Sequence, residues 1–302
     1  VAADYCTESD GNAFYTANGI ANQKLTFGGE EIDATTINAD LLQQLHEAGG
    51  VEANVATGYH AIEFLLWGQD LNGTGPGAGS RPATDYANGD ACTNGNCDRR
   101  AAYLKAASEL LVSDLQEMVT AWGAGGEARK AAATNGLTAV LTGMGSLSYG
   151  ELAGERMKLG LLLHDPEEEH DCFADNTHNS HFYDVQGIQN VYLGTYGGTS
   201  SVSGSSLSDI VKAQDAALDK EMRTKLDASM KAFGALKSRA EAGEAYDQMI
   251  AEGNTEGNAI VQAAIDALVD QTRTIERVAQ LTGTSIEVEG SDSLDNPTAV
   301  FE

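Results

Sequence analysis

Apolar residues recur at helical spacing over three long stretches, and this feature limits the fold more than any other. They fall at three- and four-residue steps through residues 101–122, and similar periodicity runs through residues 206–241 and 255–282. Weaker or shorter helical patterns are found at residues 39–48, 52–67 and 127–163, the last with a break near Asn135-Gly136. Apart from one short hairpin around residues 24–32, no strand-rich region is predicted. The sequence therefore predicts an all-α protein built of packed helical bundles.

Three segments interrupt the helical pattern and are predicted to be irregular. They are residues 1–38, 68–100 and 164–204, which are rich in small and polar residues. The second of these segments begins at the carboxyl end of the helix predicted at 52–67. Because a long loop in a compact protein usually serves a function, we predict that residues 68–100 act as a lid.

The sequence "GAGG" at residues 123–126 is the best candidate for a domain boundary. A chain of 302 residues can bury one large core or two ordinary ones. We therefore predict an N-terminal helical region at residues 1–122 and a C-terminal helical bundle at residues 127–302.

The charge balance excludes one class of function. The chain has 18 Lys plus Arg against 45 Asp plus Glu, a net charge of −27, whereas nucleic-acid binding requires a basic surface. We interpret the acidity first as a means of solubility, and a role in concentrating cations is the alternative. No apolar run is long enough to cross a membrane.

The stretch "GYHAIEFLLWGQD", residues 58–70, contains the most informative polar pair. His60 and Glu63 lie three residues apart on a predicted helix, so their side chains leave the same face and can share one partner. Their neighbours are mostly apolar, and a carboxylate in such surroundings is costly unless a cation or a metal ion pairs with it.

Two other segments carry groups that could bind a metal ion. In "GELAGERM", Glu151 and Glu155 lie four residues apart beside Arg156, and a structural salt bridge with Arg156 is the alternative interpretation. In "CFADNTH", Asp175 and His178 are compact polar groups that follow an apolar residue, which predicts a loop folded inward. Four of the six histidines lie at residues 164–181, and the "EEE" run at 167–169 is read with equal weight as solvated surface.

The four cysteines favour an oxidising compartment. Cys92 and Cys97 flank a four-residue turn and are predicted to form a disulfide, which leaves Cys6 and Cys172 as a second candidate pair. No zinc-type cysteine spacing is present. Disulfides persist outside the cytosol, so the cysteines favour a periplasmic or surface location.

Five motifs in this order resemble the imelysin family, in particular its iron-regulated envelope proteins. They are "GYHAIEFLLWGQD", "GPGAGSRPATDY", "DRRAAYL", "GELAGERM" and "DNTH", from about residue 40 onward, with Gly58, His60 and Glu63 meeting the family motif Gly-x-His-x-x-Glu. The resemblance implies two helical bundles with long irregular loops, a polar site between the bundles, an export signal and often a lipid anchor. It also implies an association with iron uptake or iron-responsive expression.

One departure from the family concerns the first bundle. Family members usually have about a hundred further helical residues ahead of the matched region, so residues 1–122 are expected to form an incomplete bundle that a further chain or segment completes. Without such a partner, apolar stripes on the helices at 52–67 and 101–122 would be exposed.

We therefore predict a non-enzymatic envelope protein that binds a transition metal, iron first and zinc or copper as alternatives, either as the ion or as a small complex. A metallopeptidase with Glu63 or Glu155 as general base is one rival, and an interaction module with a purely structural pair at His60 is another. The predicted ligands are His60 and Glu63, then Glu155 and His178, then Glu151 and Asp175, with Arg156, Arg81 and Asn176 behind them.

Overall fold

The chain folds almost entirely into helices in this computed structural model, which describes residues 19–27, 29–50 and 55–301. Two compact units are distinguished. The first contains the chain up to Gly73, Gly77–Glu127 and Asp171–Ala174, and the second contains Thr74–Pro76, Ala128–His170 and Asp175–Glu302.

Within the described residues, the first unit contains the predicted hairpin followed by three helices. Strands β1 and β2 pair antiparallel, with Leu25 opposite Ile32. The elements of this unit are β1 (Lys24–Phe27), β2 (Glu30–Asp33), α1 (Ala39–Leu45), α2 (Gly58–Trp67) and α3 (Cys97–Trp122), with 3₁₀ turns at Ala48–Gly50, Ala83–Tyr86 and Gly89–Ala91.

Helices α1, α2 and α3 bury one apolar core. Leu42, Leu65 and Ala107 are wholly buried there, and Tyr103 packs among them while its hydroxyl donates to the Ala56 carbonyl at 2.9 Å. This contact satisfies a polar group that would otherwise be costly at a buried site.

Arg99, in the "DRR" motif, holds the first described residues against α3. Its guanidinium donates to the carbonyls of Gly19 at 2.7 Å, Ile20 at 2.8 Å, Ala34 at 2.6 Å and Thr35 at 2.9 Å. One fork-shaped cation therefore binds several carbonyls on either side of the hairpin, which a lysine could not do with its single nitrogen.

Asp85 organises the segment 68–100, which the sequence predicts to be irregular. Its carboxylate accepts hydrogen bonds from Thr93 at 2.7 Å, Asn94 at 2.8 Å and Arg81 at 3.2 Å. Arg100 donates to the Asp85 carbonyl at 2.8 Å. The loop thus has a buried polar centre, and its predicted function as a lid stays a prediction.

The disulfide predicted between Cys92 and Cys97 is present, with the two Cα atoms 5.9 Å apart. Cys172 is also a disulfide cysteine. The second predicted bridge involves Cys6, which lies outside the described residues.

The second unit contains a longer series of helices. Its elements are α4 (Glu127–Ser146), a π-helical segment (Leu147–Lys158), α5 (Leu159–Leu163), α6 (Thr177–Leu193), β3 (Thr195–Gly197), β4 (Ser201–Ser203), α7 (Leu207–Gln214), α8 (Ala216–Glu241), α9 (Tyr246–Ile250), α10 (Thr255–Leu281) and α11 (Asp292–Asp295), with 3₁₀ turns at Pro166–Glu168 and Ala299–Phe301.

Helix α10 is the centre of this unit and packs against α8 and the π-helical segment. Two apolar clusters follow its length, one around Phe233 and Ile265 and the other around Met222 and Ile275. The long apolar stripes read from the sequence are therefore the buried faces of these helices, as expected for an all-α bundle.

Residues 164–204 were predicted to be irregular, and this prediction was wrong. They contain α6 and the small β3–β4 hairpin. The buried face of α6 begins with Thr177 and His181 before it reaches Val185 and Ile188. Because the first residues of the buried face are polar, the spacing of apolar residues alone does not predict this helix.

Other helix boundaries differ in smaller ways. The break predicted near Asn135 is present, since Asn135 has a non-helical φ of −126°. The single helix predicted at 206–241 is interrupted at Asp215, whose side chain accepts from the backbone nitrogens of Ala217 and Leu218 and caps α8. The helix predicted at 52–67 is observed from Gly58 to Trp67, and residues 51–54 lie outside the described part of the chain.

The second half of α3 has an exposed apolar face. Val112, Met118, Val119 and Trp122 are each more than half exposed. This is the exposure that an incomplete first bundle would produce, and the incompleteness itself stays a prediction.

Candidate metal centre

Helix α2 places His60 and Glu63 on one face, as their spacing predicts. Gly58 has a φ of 86° at the start of the helix and Gly68 a φ of 79° just after its end, so both ends use backbone conformations that favour glycine. The His60 Nδ1 atom lies 2.9 Å from Glu63 Oε2. The Glu63 side chain is only 11% exposed, while His60 is 35% exposed and gives the pair an open side.

A third ligand-type group comes from the segment Asp171–Ala174. Asp171 Oδ1 lies 3.7 Å from His60 Nδ1, and the Asp171 side chain is 13% exposed. The backbone nitrogen of Ala174 donates to Glu63 Oε1 at 2.9 Å. Phe173 packs edge-on against Phe64, with ring centroids 5.2 Å apart, and so anchors the segment to the face of α2.

His60, Glu63 and Asp171 therefore each offer one ligand atom, and these atoms lie within 4.8 Å of one another. One imidazole nitrogen and two carboxylate oxygens form a mixed set that suits iron, zinc or manganese. The set fits a metal ion chemically, because two carboxylates at a largely desolvated position gain from a cation between them.

The loop after α2 supports this helix from its carboxyl end. The backbone nitrogen of Arg81 donates to the Trp67 carbonyl at 2.8 Å, and the Arg81 guanidinium lies 5.4 Å from the Phe64 ring centroid. Gly79 donates from its backbone nitrogen to Phe173 O at 3.0 Å. Arg81 also pairs with the Asp85 carboxylate at 3.2 Å, and its predicted role in orienting ligand carboxylates stays a prediction.

The predicted ligands on the π-helical segment belong to the second unit. Arg156 lies 3.4 Å from both Glu151 and Asp184, which is the salt bridge that the sequence offers as the alternative role for Glu151. Glu155 is exposed and lines a surface cleft with Ser291. The roles of Glu151 and Glu155 as ligands stay predictions.

The predicted "DNTH" ligands also belong to the second unit. Asn176 precedes α6, and its side-chain oxygen accepts from Asn179 at 2.7 Å. His178 lies on the first turn of α6, with Nε2 at 3.1 Å from the Asn179 amide nitrogen. Asp175 forms a second acidic group with Glu169 and Asp247. Whether His178 contacts a metal ion stays a prediction.

Sequence reasoning missed Asp171, Glu169 and Asp247 as site residues. Glu169 belongs to the "EEE" run read as solvated surface, yet it is only 4% exposed. The concentration of histidines and carboxylates at residues 164–184 was the available signal, and it does not show which members face inward. Asp247 is the single acidic residue of the short helix α9, and no local pattern marks it.

His181 is wholly buried on α6 beside this region. Burial lowers the pKa of His181 well below its ordinary value of 6.5, and the nearby His170 and Arg156 lower it further. His181 is therefore a neutral imidazole at physiological pH, and its ring packs edge-on against Tyr246 with centroids 5.3 Å apart.

The fold and this site define an all-α protein with a His-x-x-Glu pair on one helix and an added carboxylate from a distant segment. The chain belongs to the Imelysin family, whose family model matches residues 6–275. This match begins well before residue 40, the start of the region whose motifs resemble the family.

A solved structure gives the same architecture. It is described as an iron-regulated protein A precursor from Parabacteroides distasonis, is 17% identical, and superposes with a TM-score of 0.60 over 92% of this chain and 75% of that chain. At this identity the likeness concerns the fold. No curated protein sequence matches the chain. Within the described residues, every helix is too short or too polar to span a bilayer.

Proposed function

We propose that this protein is a non-enzymatic component of the cell envelope that binds a transition metal ion, iron first, as cargo in iron uptake or response. The observation that carries the proposal is the grouping of His60, Glu63 and Asp171 within 4.8 Å. Membership of the Imelysin family and the fold shared with an iron-regulated protein support iron as the metal.

The charge of the site supports a bound cation over a purely structural hydrogen bond. Glu63 and Asp171 are both largely buried, and each lies close to the same His60 nitrogen. A single imidazole can carry one positive charge, whereas the two carboxylates carry two negative charges. A divalent cation would balance them, and nitrogen together with oxygen suits Fe²⁺ better than Ca²⁺ or Mg²⁺.

The surroundings of Glu63 weigh against the metallopeptidase alternative. Both of its oxygens are engaged, one with His60 at 2.9 Å and one with the Ala174 nitrogen at 2.9 Å. A general base must reach a water molecule in the open part of the site, and the Glu63 side chain is only 11% exposed. Glu63 is therefore better placed to bind the metal ion than to activate a water molecule.

The cysteines support a location in the envelope. A disulfide between Cys92 and Cys97 closes a short loop at the surface, and such bonds persist in oxidising compartments. The solved relative is an iron-regulated protein A precursor, which supports export of the full-length protein.

Anaerobic titration of the full chain with Fe²⁺ tests the proposal, with calorimetry and elemental analysis as readouts. The unaltered protein should bind Fe²⁺, and His60→Ala and Asp171→Asn should each weaken binding by at least about 100-fold, since even residues behind the ligands contribute about 10–100-fold at metal sites. Helical content by circular dichroism should be unchanged in both variants.

His46→Ala is the matched control. His46 is another partly exposed histidine of the first unit and lies 3.8 Å from Glu47, but it is not part of a three-ligand group. Equal Fe²⁺ binding by the unaltered protein and His60→Ala would exclude this site. Peptide hydrolysis that is lost in His60→Ala would favour the metallopeptidase instead.

A further inference from the structure

A second group of carboxylates lies in the second unit, on three separate parts of its chain. Glu169 directly follows the 3₁₀ turn Pro166–Glu168, Asp175 lies two residues before α6, and Asp247 lies on α9. One oxygen of each lies within 4.8 Å of the others. Unlike the centre at His60, this group contains only oxygen ligands.

Two of the three carboxylates of this group are deeply buried, and Asp175 is half-buried. Asp247 is 0% exposed and Glu169 is 4% exposed. The neighbours of Asp247 on α9 include Met249 and Ile250, which are wholly buried members of the main apolar core of this unit. Whatever hydrogen bonds they make, three carboxylates this close repel one another strongly in a medium of low polarity unless a cation or shared protons intervene.

Tyr246 provides an independent sign that the site is built for a ligand. Its side chain is 0% exposed, and its hydroxyl has no hydrogen-bond partner among the described residues. Burial raises the pKa of Tyr246, and the negative charge of Glu169 raises it further. A buried hydroxyl without a partner costs free energy of folding. Coordination of a bound cation by its oxygen would offset this cost.

The imidazole beside Tyr246 does not supply the missing charge. His181 packs against the tyrosine ring, but burial keeps it neutral, as described above. It therefore fixes the position of the ring without balancing the carboxylates.

We propose that Glu169, Asp175 and Asp247 form a second site, for a hard divalent cation such as Ca²⁺ or Mn²⁺, with the Tyr246 hydroxyl as an additional oxygen. Three carboxylates and a phenol offer only oxygen ligands, which Ca²⁺ and Mn²⁺ prefer. The imidazole that favours Fe²⁺ at the first centre is not part of this group. The site is distinct from the centre at His60 in its residues and in its ligand chemistry, and it stabilises the core of the second unit.

Mn²⁺ binding to the full chain, followed by electron paramagnetic resonance with Ca²⁺ as competitor, tests this proposal. Asp247→Asn and Glu169→Gln should each weaken Mn²⁺ binding by at least about tenfold. Ca²⁺ should raise the unfolding temperature of the unaltered protein and raise it less in either variant, because a ligand that binds only the folded state stabilises it. Asp266→Asn, an exposed carboxylate on α10, is the matched control and should behave as the unaltered protein.

Two comparisons make the result decisive. His60→Ala should retain this Mn²⁺ binding, which shows that the bound Mn²⁺ does not depend on the centre at His60. If Asp247→Asn combined with His60→Ala binds Mn²⁺ as tightly as His60→Ala alone, the proposal is wrong. It is also wrong if the unaltered protein binds no Mn²⁺. A higher unfolding temperature of Asp247→Asn in that case would show that the carboxylates share protons.

Discussion

Single residues in this protein owe their behaviour to what surrounds them more than to their type. Asp85 and Asp90 lie five residues apart in the same loop, yet Asp85 is 1% exposed and Asp90 is exposed. Burial by itself raises the pKa of Asp85, but hydrogen bonds from Thr93 and Asn94 and the charges of Arg100 and Arg81 outweigh it. The pKa of Asp85 is therefore below its ordinary value of 3.8.

Asp85→Asn should destabilise the protein by about 3 kcal/mol at neutral pH, because it leaves the Arg81 guanidinium without its carboxylate partner and removes the negative charge near the buried Arg100. A lowered pKa in the folded state means that the stabilisation is present above the ordinary carboxyl pKa and is lost as pH falls through the lowered value. The difference in unfolding free energy between the two proteins should thus be constant near pH 7 and shrink below about pH 4.

Urea unfolding at a series of pH values measures this difference. Asp90→Asn should change stability by less than about 0.5 kcal/mol at every pH. A difference between Asp85→Asn and the unaltered protein that grew on acidification would contradict the assigned direction of the pKa shift.

At the scale of elements, the π-helical segment Leu147–Lys158 is the least ordinary part of the fold. A wider helix brings its backbone close to its neighbours, and π-helical turns are often found at functional sites. Here the close neighbour is the C-terminal chain around Ser291. A Cβ atom added at Gly154 would lie 2.3 Å from Ser291 Cβ, and one added at Gly150 would lie 2.7 Å from the Glu289 carbonyl oxygen.

Gly154→Ala should therefore destabilise the protein by about 1–3 kcal/mol, the usual cost of inserting a methyl group into a packed site. Gly143→Ala, on α4, is the matched control, since an added Cβ there meets nothing within 4 Å. The control should be neutral or stabilise by up to about 1 kcal/mol, because alanine favours a helix more than glycine does. Thermal unfolding of both variants measures the difference, and equal stabilities would show that the C-terminal chain moves aside freely.

At the scale of the whole molecule, the net charge of −27 dominates. Ion pairs such as Lys225–Asp270 and Arg277–Glu221 use some of the few basic residues. The 45 acidic residues nevertheless outnumber the 18 basic ones, so most carboxylates have no basic residue to pair with. Such self-repulsion opposes the compact state and is screened by dissolved salt.

Raising NaCl from about 0.01 M to about 1 M, where the Debye length falls from about 30 Å to about 3 Å, should raise the unfolding temperature. Tetramethylammonium chloride at the same ionic strength should give a similar rise if screening is the cause. An unfolding temperature that falls or stays constant in both salts would show that repulsion does not limit stability. A rise in NaCl alone would point to a specific site for sodium ions.

The sequence by itself determined the features that depend on neighbours along the chain. Helices α3 and α10 follow from the spacing of their apolar residues, and the break at Asn135 follows from poor helix formers. The approach of His60 to Glu63 is also local, because one turn of helix separates them wherever the helix lies. The Cys92–Cys97 bond spans so short a turn that the chain itself brings its ends together.

Only the tertiary structure decided which distant groups join these local ones. Asp171 reaches His60 because Phe173 packs on Phe64, and nothing in the residues next to Asp171 reveals that contact. Asp247 is the single acidic residue of a five-residue helix, and only the fold sets Glu169 and Asp175 near it. Helical periodicity is a property of the backbone over a few residues. The meeting of distant carboxylates depends on how the intervening chain packs, and that is a sum of many weak contacts which no short stretch of sequence contains.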